Sequence, residues 1–358
     1  MPLESVRGQP LHTKRMASQV KDTAWLEWIA GLMGVGSRQT YSATLPPGQF
    51  HCLLDELPLH LIPQRRLESQ CWRDLFLNPE CSVLPAGQVP GELELHRYLL
   101  KDFYLQGTIA WVRDLATNSL QPFWLGPRLE GVVASLRPGT PVPDTVPRDV
   151  LLLLVGAGIL TTAGQAERRL AEWAEVVRKG AQQFRERGYV PLGNLIHPFN
   201  VAALRRYYRH AVRRGAICLG DVQSPRRYAA HNESVARFFH YQITNAVSAV
   251  VGEAIKPSYV YLASYLSGAD LKKHIDREQC EFSVTLCLDF SPEPEFATTW
   301  PIRLDTAEGA VTVYQALGDG LVYRGTKVPH YRDVLAEGHT STSIFFHYVP
   351  ADFSGELE

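Results

Sequence analysis

The chain has 358 residues, 45% hydrophobic and 20% charged, with 36 basic against 37 acidic side chains and a formal net charge of −1. That balance supplies no global field for gripping nucleic acid or an anionic membrane surface, and the length accommodates two domains. The six cysteines include no Cys-x-x-Cys pair and the N-terminal stretch lacks the apolar core of a secretory signal, so free thiols in a soluble cytoplasmic protein are expected.

Residues 1–21 read as a polar N-terminal tail. From 22 to 163 the chain is rich in Leu, Trp and Pro and reads as a mainly helical N-terminal domain. The stretch LEWIAGLMGVG (26–36) reads as a helix ended by glycine, and PGELELHRYLLKDFYLQGTIAWVRDL (90–115) as further helix with an uncertain middle. A helix at Leu129–Leu136, a proline-rich turn and a second apolar helix near 150 look like a winged-helix core, or simply a helical packing module. The apolar run Val150–Leu160 is well short of the ~18–20 residues of a membrane span.

Leu170, Trp173, Val177, Ala181 and Phe184 recur at three- and four-residue steps and predict a connecting helix over 164–187. Beyond Gly188 the texture changes. A short strand (188–196) and two helices (197–215 and 233–252, the second capped by Asn232) precede six strand-like runs beginning near 257, 280, 300, 309, 319 and 340. The expectation is an α+β fold, with helices packed on a mainly antiparallel sheet or sandwich.

Chemistry enters at GADLKKHIDREQC (268–280). His274 and Asp276 stand two apart before a strand, so in extended backbone they project from one face. A third ligand from a strand folding back beside them would complete two histidines and one carboxylate, and His330 is the best placed. Such a set suits non-haem Fe(II) with three open positions, or zinc in a hydrolase; the spacing alone does not separate them.

The order SYLSGADLKKHIDREQCEFSVTLCLDF, WPIRL, GDGLVYRGTKVPH, STSIFFHYV is similar to the prolyl-hydroxylase-like branch of the Fe(II)/2-oxoglutarate-dependent dioxygenases. The likeness covers roughly 188–350 and is carried by Tyr265, Gly268, His274, Asp276, Thr285, Leu286, Gly318, Asp319, His330, Phe345 and Phe346. It implies a C-terminal double-stranded β-helix (jelly roll) over 188–352 with flanking helices. It further implies iron(II) on His274, Asp276 and His330, with 2-oxoglutarate and O2 as co-substrates. The implied reaction is hydroxylation of an unactivated carbon. Asp276 argues against halogenation, since halogenases of the superfamily carry a small residue there.

The chain departs from the family where a Lys or Arg usually receives the far carboxylate of 2-oxoglutarate, for that register holds Thr340 with His339 beside it. Arginine offers a bidentate fork and histidine must first be protonated, so chemistry favours Arg332 or Arg324 and register favours His339. Arg332 and His339 stand level, with Arg324 behind; Tyr265 and Ser341 are candidates for added hydrogen bonds. The expected substrate is a peptide or protein side chain presented by the N-terminal half; a small molecule is the alternative, as is a non-catalytic scaffold. Cys280 and Cys287 read as core thiols and His347 as a satisfied core histidine. Arg205, Arg206, Arg209, Arg213 and Arg214 form either a solvated helix face or an anion patch. Nothing in the sequence fixes an oligomeric state.

Overall fold

Between residues 76 and 124 the chain forms strands where the sequence pattern predicts helix. The structure, a computed structural model, describes residues 45–46, 48–57 and 74–357. The helix expected at 26–36 and the tail at 1–21 lie outside the described residues. Strand β1 (Phe76–Leu77) is followed by β2 (Cys81–Leu84), a single helical turn α1 (Gly91–Glu94), a 3-10 turn at Arg97–Leu100, β3 (Ile109–Asp114) and β4 (Ser119–Trp124). β2, β3 and β4 make an antiparallel meander. The helix expected over 90–115 is therefore corrected to one short helical turn and a strand. Ile109, Ala110, Trp111 and Val112 are all buried. Such an unbroken apolar run has neither period and does not distinguish a buried strand from a helix. Asn118, with φ 53°, makes the left-handed turn that joins β3 to β4.

Helices α2 (Pro127–Ser135) and α3 (Arg148–Gly156) match the two expected there. They add Leu129, Val133, Val150, Leu153 and Leu154 to a core that runs on to Phe346 and Tyr348. The described residues belong to one compact unit, so among them no break in packing marks residue 164. The mainly helical, winged-helix-like first half is thus replaced, over its described residues, by a mixed segment sharing the later core.

β5 (Leu160–Thr161) pairs with β1, and α4 (Ala163–Arg187) ends at Gly188, whose φ of 75° supplies the left-handed C-cap. Next come β6 (Tyr189–Leu192), α5 (Pro198–Arg213), β7 (Cys218–Leu219), β8 (Arg227–His231) and α6 (Ser234–Val251). The N-cap of α6 is Glu233, which accepts from the Ala236 amide; the expected Asn232 instead accepts from the Val260 amide, with φ 50°. The remaining strands are β9 (Ile255–Tyr265), β10 (Leu271–His274), β11 (Phe282–Ser291), β12 (Ile302–Thr306), β13 (Gly309–Val313), β14 (Gly320–Arg324), β15 (His330–Arg332) and β16 (Thr340–Pro350).

Two antiparallel sheets result, in the orders β6-β14-β11-β16-β9-β8-β7 and β10-β15-β12-β13. Alternation decides which face of the larger sheet meets the helices. Phe282, Val284, Leu286 and Leu288 of β11, with Ile344, Phe346 and Tyr348 of β16, join Val235, Phe239 and Val247 of α6 in the main core. Each such burial is worth about 1.5–3 kcal/mol. The intervening residues, Ser283, Thr285 and Cys287 on β11 and Ser341, Ser343, Phe345 and His347 on β16, face the other way. Tyr189, Ile302, Leu304, Leu321, Tyr323 and Val328 form a smaller cluster that ties the second sheet to this face. Among the described residues, no helix is long and apolar enough to cross a membrane.

Candidate metal centre

β10 and β15 lie antiparallel, and their register places His274 directly opposite His330. The ring centroids are 4.4 Å apart. Asp276 follows β10 and is anchored through its amide, which donates to the Gly325 carbonyl at 2.8 Å. Its Oδ1 lies 3.6 Å from His274 Nε2 and 3.5 Å from His330 Nε2. One ligand atom from each of the three falls within 4.8 Å of the others.

The protonation pattern suits a cation. His274 Nδ1 faces the Lys272 carbonyl at 2.7 Å and His330 Nδ1 faces the Val328 carbonyl at 3.0 Å. A carbonyl only accepts, so each Nδ1 carries a proton and Nε2 is the ring atom turned toward Asp276. Burial, partly opposed by the Asp276 charge, pulls the His330 pKa below its ordinary value and keeps that ring neutral. Tyr323 OH lies 3.4 Å from His330 Nε2 and 3.3 Å from Thr285 Oγ1. Its own pKa is pushed well up by burial, then by the Asp276 charge. Two imidazole Nε2 atoms and a carboxylate are a donor set for iron(II) or zinc, so these residues fit the implied metal.

Gly325 is required by this arrangement. A β-carbon there would overlap Asp276 Oδ2 and the Cys280 carbonyl oxygen, and would stand 2.6 Å from Ser283 Oγ. Gly325→Ala is expected to displace Asp276, lowering metal affinity and destabilising the fold by about 1–3 kcal/mol. Metal titration and thermal melting check this; unchanged affinity would show that the close approach does not matter to the site.

The three candidate cations separate in the structure. Arg332 lies two residues from His330 on the same face of β15, about 6.6 Å along the strand. Its side chain is buried, with Nη1 donating to the Trp300 carbonyl at 2.5 Å, Nη2 to Gln315 Oε1 at 3.2 Å, and the guanidinium 4.8 Å over the Trp300 ring. No carboxylate among the described residues pairs with it, and its Nε has no partner there. A buried guanidinium without a counter-ion is costly, and burial lowers its pKa accordingly. Ser343 Oγ, on the inner face of β16, is likewise buried without a partner.

His339 is half-exposed, with Nδ1 facing the Glu337 carbonyl at 3.0 Å and its ring 5.6 Å from Phe290. Arg324 is committed elsewhere: it pairs with Glu281 at 3.2 Å and Glu253 at 3.4 Å and stacks on Phe184 and Phe282. Arg324→Ala is therefore expected to leave the 2-oxoglutarate KM unchanged while lowering the melting temperature; a sharply raised KM would return Arg324 to the site. Tyr265 and Ser341 face one another in the β9–β16 register, both buried, and Tyr265 packs 5.1 Å from Trp300 and accepts from Arg227 at 3.3 Å.

The sequence alone assigns no role to Trp300 and Gln315, which hold Arg332 from outside the strands, or to Ser283, which holds Asp276 from β11; for Ser283 the available signal was a polar residue at an inner position of an otherwise apolar strand. His347 is buried as expected, but it bonds Ser283 beside Asp276 as well as filling the core. Cys280 and Cys287 are buried thiols, both pushed up to about 12 by burial. Arg205 and Arg209 converge on Asp289, and Arg206 reaches Glu56 and the His51 carbonyl, so these three neutralise much of the anion patch. A separate cavity of about 650 Å³ is lined by Val112, Ser119, Gln121, Arg169 and His197 and shares none of the residues of the metal centre.

No protein-family profile matches the sequence, and no curated protein matches it. Among solved structures, the chain is similar to the non-haem α-ketoglutarate-dependent epimerase SnoN from nogalamycin biosynthesis (12% identity, TM-score 0.42, 50% of this chain and 84% of that one). It is also similar to a Pseudomonas putida prolyl-4-hydroxylase (15%, 0.40, 49% and 100%). A third is HygX from Streptomyces hygroscopicus, solved with nickel, 2-oxoglutarate and hygromycin B (13%, 0.39, 49% and 88%). Likenesses this distant leave the functional reading to the residues themselves.

Proposed function

We propose that this chain is an Fe(II)/2-oxoglutarate-dependent oxygenase built on a double-stranded β-helix. The observation that carries the reading is the juxtaposition on β15: His330 converges with His274 and Asp276, and Arg332, two residues on, is a buried cation with no counter-ion among the described residues. His274, Asp276 and His330 would hold the metal through Nε2, Oδ1 and Nε2. Arg332 would receive the far carboxylate of the co-substrate, with Ser343 and Tyr323 as further hydrogen-bond partners. With O2 as the oxidant, bound iron(II) and 2-oxoglutarate would supply oxidative decarboxylation coupled to removal of a hydrogen atom from a substrate C–H bond. The chain's part is to orient the keto acid between His330 and Arg332 and to hold each Nδ1 on a carbonyl so that Nε2 faces the metal position. The surrounding Tyr265, Phe290, Trp300 and Phe345 cluster excludes water.

The scaffold alternative drew on the missing distal cation, and Arg332 supplies one. The preference for a peptide or protein substrate drew on a separate presenting domain. Because the described residues belong to one compact unit, a small molecule is an equal candidate. The test is Fe(II)-dependent conversion of 2-oxoglutarate to succinate with oxygen uptake. Metal-dependent hydrolysis without oxygen uptake would assign the centre to a hydrolase instead.

A further inference from the structure

Asp276 differs from its two partners in having a second ligand atom, Oδ2, that the metal does not need. Ser283 Oγ donates to this oxygen at 2.8 Å. On its other side, Ser283 Oγ lies 2.9 Å from His347 Nδ1. A carboxylate only accepts, so the one hydroxyl proton goes to Asp276, and the hydroxyl must in turn accept from His347 Nδ1–H. The direction of the whole chain is thereby fixed: His347 to Ser283 to Asp276.

The relay is rigid for reasons visible in the sheet. Ser283 and His347 are direct partners across β11 and β16, two long central strands. The His347 ring packs 4.6 Å from the Tyr259 ring, and its carbonyl accepts from His240 Nε2 at 2.9 Å. The absent β-carbon of Gly325 leaves the space in which Asp276 and Ser283 meet. Asp276, Cys280 and His347 also bring three potential ligand atoms within 4.8 Å. Ser283 Oγ already bonds Asp276 and His347 and also lies 3.5 Å from the Cys280 carbonyl, another acceptor, so this cluster is satisfied as a hydrogen-bond chain without a second ion.

We infer that Ser283 and His347 are positioning residues that tie up Asp276 Oδ2, so that the carboxylate meets the metal through Oδ1 alone. A free carboxylate can rotate and chelate with both oxygens, taking a coordination position that a bidentate keto acid requires. The relay therefore protects room for the co-substrate as well as the orientation of the ligand. This inference rests on the metal reading above.

Cobalt(II) binding to the full chain tests it, read by affinity and by the visible d–d bands with and without 2-oxoglutarate. Ser283→Ala is expected to weaken Co(II) binding by about 10–100-fold and to alter the bands seen on adding 2-oxoglutarate. Ser283→Thr keeps the hydroxyl and is expected to retain wild-type affinity and spectrum. His347→Phe, which keeps the ring packing but loses Nδ1, should fall between them. Wild-type affinity and spectrum in Ser283→Ala overturn the relay. So does an equal loss in Ser283→Ala and Ser283→Thr that follows the melting temperature, because packing then explains it. If the wild-type chain binds no Co(II), the metal reading itself falls and takes the relay with it.

Discussion

Arg332→Met is expected to weaken 2-oxoglutarate binding roughly 30-fold or more while leaving the melting temperature of the free protein at or above the wild-type value. The two effects have one cause. Arg332 is a buried cation whose only partners among the described residues are a carbonyl, an amide oxygen and an indole face. Exchanging a buried charge for an apolar side chain of similar volume is commonly neutral or stabilising by about 1–4 kcal/mol. The Trp300 carbonyl and Gln315 Oε1 lose their donors in the exchange, at about 1–3 kcal/mol each, which offsets most of that gain. The co-substrate loses the partner of its far carboxylate, a change of about 2–5 kcal/mol and hence roughly a 30-fold or larger rise in KM. Melting curves and succinate assays read the two effects separately. A lower melting temperature with normal KM would make Arg332 a structural cation and leave the carboxylate without a receptor.

His274→Ala is expected to remove metal binding and succinate formation while leaving the fold intact. The His274 side chain is 32% exposed at the end of a short strand, so truncation opens little cavity, whereas His330 is buried on the paired strand. Loss of one of three ligands should cost more than the ~10–100-fold that outer partners carry. His330→Ala should lose metal equally and also lower the melting temperature, because it empties a packed position beside Tyr323. The contrast between the two variants separates ligation from packing. Wild-type succinate yield from His274→Ala would refute the ligand assignment.

Much of the second half was legible in the sequence because its strands alternate. Phe282, Val284 and Leu286 against Ser283, Thr285 and Cys287 identify a strand with one face on the helices, and His274 and Asp276 share a face by the same rule. The sequence points to His330 as the third ligand, on a strand folding back, but the register that sets it directly opposite His274 joins strands far apart in the chain and is not written in either. The choice between Arg332 and His339 likewise needed burial, which no spacing reports. The first half misled for a physical reason: Ile109–Val112 is buried on every side, and an apolar run without alternation carries no period to read. Gly325 was visible only as part of a motif, and its role emerges when Asp276, Cys280 and Ser283 are seen to crowd it.

Anaerobic titration of the wild-type chain with Fe(II) and then 2-oxoglutarate tests the central claim most directly. A weak visible charge-transfer band, forming at one equivalent of each and absent from His274→Ala, is the predicted result. Fe(II) binding without that band would keep His274, Asp276 and His330 as a metal site but contradict the oxygenase assignment.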